Sequence, residues 1–385
     1  MQICSKKITC VVLLCLVWIF CGIATGQDTY SRYVASSLLT LHKLPSYKQY
    51  PRYESVETFI DANSNIIVLC CYSFEDEETY SNRHRLSLYV LANGTWVNSS
   101  LVLPHHPSWH GMVNNGVFQA YAIQETEGAQ TVLVYGLTSD LKLSPQPIKT
   151  INLNLSKKVF ENEEHREIQK LLPLPNNPDS YFVLGTYTIS ILNPITLIFR
   201  VYSGGHDGYV EGLFGAVLEQ GKIARYYKCP VRLENNDRAD AIVSIVNNNK
   251  AHVTWQKSRE YSEGPVIIEY TNFDFDSNQW SSPVELFKAS KYTRKGILDE
   301  CGTSSLFCDE SNVYCVWPRY VKTVSTKSIY SILAEETGIY FCSRANDIWE
   351  NPVKITDSAG NPAILVGDTG DVCVLWVEEQ EGLFY

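Results

Sequence analysis

The sequence predicts an all-β fold, a six-bladed β-propeller with seven blades as the alternative. Period-2 alternation of apolar and polar residues, rich in β-branched and aromatic side chains, dominates the chain where a helix would need a 3.6-residue period. Strongly apolar strands recur at near-constant spacing: Trp255 to Trp317 is 62 residues and Trp317 to Trp376 is 59. Between them recurs a turn rich in Asp, Asn and Ser, followed by a tryptophan and then Pro-Val. A repeat of this length built from short strands and turns marks a propeller whose blades are four-stranded antiparallel sheets.

The first 26 residues are expected to stand apart from the fold. Lys6 and Lys7 precede an apolar run from Ile8 to Ala24, and Ala24 and Gly26 are the small residues of a cleavage site. That is the shape of a secretory signal peptide cut after Gly26. The mature chain, 27–385, is then expected to be a single propeller domain, secreted and without a membrane span. Residues 34–44, "VASSLLTLHKL", read as a lone strand before the first full blade.

Six apolar strands follow, at 68–74, 116–123, 180–189, 251–256, 313–318 and 371–377. The strand–turn–Trp order appears at 338–355 ("GIYFCSRANDIWENPVKI"), at 266–286 with Trp280 and at 86–103 with Trp96; 222–233 keeps only the Pro-Val and its flanking strands. In each hairpin the turn polar groups are expected to hold local backbone N–H groups while the indole packs back over the blade. The last unit, 361–385, lacks its Trp-then-Pro-Val strand, so strand 34–44 is expected to complete it and close the ring, removing two open sheet edges. The unit within 165–235 is long enough to hold surplus strands, which is the basis of the seven-bladed alternative.

Composition excludes some partners. The net charge is −10 and no basic stretch stands out, so no nucleic acid is expected to bind. Four of twelve cysteines lie in the first 26 residues; the remaining eight permit disulfides, with Cys301 and Cys308 forming the nearest local loop, while Cys315 and Cys373 read as buried thiols. Three sequons, at Asn93, Asn98 and Asn154, fit an exported glycoprotein. There is no CxxC, and the histidines lie apart from the cysteines, so neither a zinc site nor any cofactor is expected. "LPHHPSWHG" at 103–111 gathers His105, His106 and His110, but adjacent histidines in a proline-marked loop are poorly set to share one ion. Trp109 in that segment either stacks on a sugar face or packs inside. "SGGHDG" at 203–208 reads as a turn, and no Gly-x-Ser-x-Gly elbow occurs.

The eroded turn repeats, Gly94-Thr95-Trp96, Asp276 to Trp280 and Ser343 to Trp349, resemble the Asp-box, Ser-x-Asp-x-Gly-x-Thr-Trp, of the sialidase (neuraminidase) superfamily of six-bladed propellers. The resemblance covers most of 45–385 and speaks for fold more than activity. In that family three arginines grip the sugar carboxylate, a Tyr paired with a Glu is the nucleophile, and an Asp is the acid/base. Planar guanidinium groups suit a two-point grip on a carboxylate, and a neutral tyrosine avoids repulsion from an anionic sugar. Carried over by position, the resemblance implies Arg52, Arg238 and Arg294 as the substrate-binding arginines, opening blades one, four and five. It implies Tyr330 with Glu219 as nucleophile and activator and Asp76 as acid/base; the family's Ile-Pro after the first arginine is missing here.

Two functions follow. One is a non-catalytic module that recognises a glycan or an extracellular protein at the channel mouth. The other is an exo-sialidase, a glycoside hydrolase releasing terminal sialic acid through those six residues.

Overall fold

The structure, a computed structural model, describes residues 11–19, 33–43, 52–75, 82–103, 108–126, 129–154, 159, 163–175, 177–190, 209–219, 222–231, 237–259, 266–289, 297–309, 311–324, 330–332, 336–357, 360–366 and 372–378. Within them the chain is all strand, and no helix is long and apolar enough to cross a membrane.

Near the N-terminus β1 (Val11–Ile19) pairs with β2 (Tyr33–Lys43). The first blade is β3 (Arg52–Ile60), β4 (Ile66–Glu75), β5 (Asn82–Ala92) and β6 (Thr95–Leu103), hydrogen-bonded in that order. The second is β7 (Ser108–Asn114), β8 (Val117–Thr126), β9 (Ala129–Gly136) and β10 (Lys149–Asn154). The third is β11 (Glu163–Leu174), β12 (Asn177–Ser190), β13 (Tyr209–Glu219) and β14 (Lys222–Lys228).

The fourth blade is β15 (Asp237–Asn247), β16 (Lys250–Arg259) and β17 (Val266–Asp274), with β18 (Gln279–Trp280) and β19 (Val284–Ala289) both pairing β17 as a split outer strand. The fifth centres on β22 (Asn312–Val324). On its inner side are β20 (Ile297–Cys301) and β21 (Ser305–Cys308), and β23 (Tyr330–Ile332) joins its end. On its other side lies β24 (Gly338–Ala345), which carries β25 (Ile348–Trp349) and β26 (Val353–Thr356). Last come β27 (Asn361–Val366) and β28 (Val372–Glu378), paired with each other, with β1 on the far side of β28.

The six apolar stretches read from sequence are β4, β8, β12, β16, β22 and β28, each second in its sheet. A second strand is covered on both faces, so alternation gives way to a continuous apolar run. Val68, Phe182, Trp255 and Trp317 are fully buried there. Apolar clusters join blade one to two, two to three, three to four and four to five, and a further one joins blade five to β27 and β28. The innermost strands meet in a closed cycle, β3 to β7, β11, β15, β21, β27 and back to β3. This is a propeller.

Several expectations need correction. Five complete blades are formed from consecutive strands, where six or seven were expected. The long third unit is one sheet with long strands, which absorbs the apparent surplus. Strand 34–44 does not pair with β28: in the sheet order β2-β1-β28-β27 it is the outermost strand, and β1 lies between it and β28.

Nor do Cys301 and Cys308 bond. Cys301 stands opposite Arg319 and Cys308 opposite Val313, six residues apart on β22 or roughly 20 Å, far beyond disulfide reach. The eight cysteines from Cys70 to Cys373 are buried, and none is in a disulfide. Trp109 is 2% exposed and packs on Tyr135 at 5.4 Å between centroids, so its role is packing.

The tryptophan hairpins also differ in detail. Trp280 donates from its indole N–H to the Tyr227 carbonyl at 3.2 Å and packs on Phe182, both in the preceding blade. Trp349 meets Tyr270 of the preceding blade edge-on at 4.9 Å. The indoles therefore bridge blades, and that of Trp280 also packs over its own, against Phe273 at 5.1 Å between centroids. In the β17–β18 turn the capping carboxylate belongs to Asp274, not Asp276: it accepts the backbone N–H groups of Asp276 at 3.0 Å and Ser277 at 2.9 Å.

Candidate functional site

Strands alternate in direction within each blade, so every innermost strand starts on one face of the ring, here called upper, and ends on the lower face. Second strands end on the upper face; third strands end on the lower one.

This places the family-derived residues by register. Arg52 opens β3 opposite Ser73, and Arg238 is second in β15 opposite Ser258, so both stand at the upper face. Tyr330 opens β23 opposite Val324, the last residue of β22, at the same face. Glu219 closes β13, opposite Ser180 and Lys222, at the lower face. Across an 11-residue strand that is about 30 Å from the upper face. Asp76 and Arg294 lie outside the described residues. The arrangement therefore puts Arg52, Arg238 and Tyr330 on one face of the ring and Glu219 on the other.

The channel holds chemistry that the repeat pattern did not single out. Toward the upper face lies a cavity of about 240 Å³, walled by the inner strands of all five blades and by Pro362 of β27. Three neighbouring blades break their inner strands at its wall. A bulge in β11 sets out Gln169 between Ile168 and Lys170. A bulge in β15 sets out Ala241 and Ile242, with Ala241 in the left-handed region at φ 51°. In blade five the inner strand is interrupted between β20 and β21, leaving Thr303 and Ser304 on the wall. At that interruption a Cβ on Gly302 would sit 2.6 Å from the Pro318 ring. Bulges re-aim side chains and end pairing, which is how a strand wall becomes a binding surface.

The other side of the cavity is charged. Glu57 on β3, His110 on β7 and Lys170 on β11 meet there, one from each of the first three blades. The Lys170 ammonium donates to Glu57 Oε1 at 2.6 Å and lies 2.6 Å from His110 Nδ1. His110 Nδ1 is also 3.0 Å from Glu57 Oε1, and the Gly111 backbone N–H donates to Glu57 Oε2 at 2.7 Å. Burial alone would raise the Glu57 carboxyl, but the Lys170 cation and the His110 contact outweigh it and hold the group well below the ordinary carboxylate range. Burial, then the Lys170 charge, lowers His110.

The "WHG" of the sequence now has a reason. A Cβ at Gly111 would stand 2.4 Å from the Phe59 ring, so only glycine lets that backbone reach the carboxylate. Nearby, Tyr121 accepts the Leu171 N–H at 2.9 Å; burial and then the Glu57 charge push its phenol well above its usual value. Glu57 and His110 are 53 residues apart and His110 and Lys170 are 60, close to the repeat, so equal spacing of polar residues on inner strands was the available signal. Of the three, sequence reasoning named only His110, and for a metal. Among the described residues no group of three or more His, Cys, Asp or Glu is placed to hold a metal ion.

No protein-family model matches the chain, and no curated protein does. Solved structures do. An α-L-arabinofuranosidase from Fusarium graminearum aligns at 7% identity and a TM-score of 0.46, over 85% of this chain and 93% of that one. A Penicillium chrysogenum α-L-arabinanase aligns at 10% identity and 0.36, over 86% and 79%. The Trypanosoma rangeli sialidase aligns at 8% identity and 0.44, over 99% of this chain and 58% of its own. These likenesses concern the path of the chain and carry no residue role across. With its ring of antiparallel blades, the chain is a β-propeller.

Proposed function

We propose that this protein is a secreted, non-catalytic recognition module that binds a glycan at the upper mouth of its channel. The observation that carries this reading is the state of Glu57. It is the single carboxylic acid among the described residues lining the channel cavities. Its two oxygens are already held by Lys170, by the Gly111 N–H and by the contact with His110. A glycosidase needs a proton donor and a nucleophile or base on either side of the scissile bond. A carboxylate paired with a buried ammonium and held far below its normal range is no proton donor near neutral pH, and no second carboxyl among the described lining residues stands across the cavity from it.

The bulged wall offers what binding needs instead: Gln169 and Thr303 beside the apolar Ile242 and Pro362, a few polar groups on an apolar surface. A six-bladed ring belongs to the same reading. In its support, β27 stands between β21 and β3 in the inner cycle and β28 takes the second-strand place, leaving outer strands for the N-terminal segment to supply.

The test is a glycan array read with wild type and with Gln169→Ala and Thr303→Ala, alongside turnover of a fluorogenic sialoside. Binding weakened by either substitution, with no turnover, supports the module. Turnover by wild type that Tyr330→Phe abolishes would instead establish the exo-sialidase with Arg52, Arg238 and Arg294 on the carboxylate.

A further inference from the structure

The lower mouth of the channel is a second and chemically different site, and it stands independently of the reading above. A cavity of about 410 Å³ opens there, larger than the upper one. Its lining contains no ionisable side chain at all, whereas the upper cavity has Glu57, His110 and Lys170. The lower wall combines asparagines from two hairpin tips, Asn115 and Asn249, with the apolar Ile60, Leu174, Pro175 and Phe307.

The asparagines are fixed. Asn115-Gly116 and Asn248-Asn249 are two-residue turns with consecutive left-handed residues, at φ 50° and 74° and at 45° and 58°. Each is braced to a neighbouring blade. The Ala62 N–H donates to the Gly116 carbonyl at 2.8 Å, and the Asn247 side-chain amide donates to the Asp309 carbonyl. No hydrogen bond to another described residue engages the carboxamide of Asn115 or Asn249. The rim thus holds two preset carboxamides, each both donor and acceptor, over a partly exposed aromatic and proline surface.

We propose that this mouth binds an uncharged sugar residue. Adjacent hydroxyls match a carboxamide's paired donor and acceptor, and the C–H face of a pyranose or furanose suits Phe307 and Pro175. A charged sugar would surrender its hydration to a wall with no counter-charge, so the site discriminates against it.

The test uses ligand-observed NMR of the full chain with neutral methyl glycosides (galactoside, mannoside, glucoside, N-acetylglucosaminide and arabinofuranoside) and N-acetylneuraminic acid. Asn115→Gly and Asn249→Gly keep the left-handed turns and delete only the carboxamides. Binding of at least one neutral glycoside is expected, weakened about tenfold by either substitution and by Phe307→Ala, and unchanged by Gln169→Ala. The proposal is overturned if no neutral glycoside binds at millimolar concentration, if N-acetylneuraminic acid binds as well and that binding is lost in the asparagine variants, or if neutral-glycoside binding survives both glycine substitutions. Loss in Gln169→Ala with retention in the asparagine variants would overturn it too, by assigning the sugar to the upper cavity.

Discussion

At the residue scale the channel cluster sets the sharpest expectations. Lys170 and Glu57 form an ion pair largely out of water, with 10% and 18% of their side chains exposed. Replacing Lys170 with Met leaves Glu57 buried without its cation, and removing one partner of such a pair costs roughly 3–5 kcal/mol. Urea denaturation of Lys170→Met should show that loss, and Glu57→Leu combined with Lys170→Met should recover most of it, since the stranded charge is gone. Were the single substitution neutral, the cluster would not be a closed ion pair.

His252 gives a pH prediction. It is 6% exposed and lies 2.7 Å from the Tyr270 hydroxyl; burial, then the Arg344 and Lys250 cations, lower it from 6.5 to about 4. The folded state therefore prefers the neutral ring. Its stabilising contribution is complete above about pH 6.5 and is lost as pH falls toward 4, on the order of 3 kcal/mol over that window. His110 and Glu57, both lowered, add acid sensitivity of the same sign. Comparing wild type with His252→Gln isolates the His252 share: the variant's melting temperature should fall less between pH 6.5 and 4.

Apart from the near-repeat spacing of Glu57, His110 and Lys170, this cluster was not legible in the sequence. Glu57 sits in an ordinary alternating strand and Lys170 within "IQKLLPL"; only the ring brings residues 113 positions apart to 2.6 Å.

At the element scale the turns and second strands were legible because their causes are local. A strand covered on both faces must be apolar throughout, and this marked all six. Hairpin tips need left-handed residues, which Asn-Gly supplies. Partner choice across blades is not local, so the tryptophans' reach to the preceding blade was not legible.

Two glycines separate local strain from packing. Gly94 and Gly116 share a φ of 74°, but a Cβ at Gly94 meets nothing within 4 Å while one at Gly116 would lie 2.5 Å from Ala62 Cβ. Gly94→Ala should cost only the left-handed penalty, about 1–2 kcal/mol. Gly116→Ala should cost about 1–3 kcal/mol more, because the braced Ala62 turn must move. Equal losses in chemical denaturation would mean that the two hairpin tips are not coupled.

At the scale of the whole molecule the question is how a chain of local hairpins becomes a ring. Each blade buries its faces against the next, so an open array would leave two apolar faces in water. Closure rests on β27. The Thr58 hydroxyl of β3 donates to the Ile364 carbonyl at 2.9 Å, and the Ile364 N–H donates to the Ser305 Oγ of blade five at 3.3 Å. Ile364, Val366, Val372 and Val374 complete the apolar cluster against Val316 and Phe341. Ending the chain at Asp357 removes β27 and β28 together. It strips one face of blade five and the inner edge of blade one at once, exposing a run of fully buried side chains. Thr58→Val deletes a single closing hydrogen bond and should cost only about 1 kcal/mol while leaving one sharp unfolding transition. The truncated chain should lose that single transition, unfolding broadly or aggregating through its open edges, as followed by circular dichroism and light scattering. If the truncated chain instead melted as cooperatively as wild type, the five preceding blades would be stable as an open stack, and β27 would be an appendage rather than the closing strand.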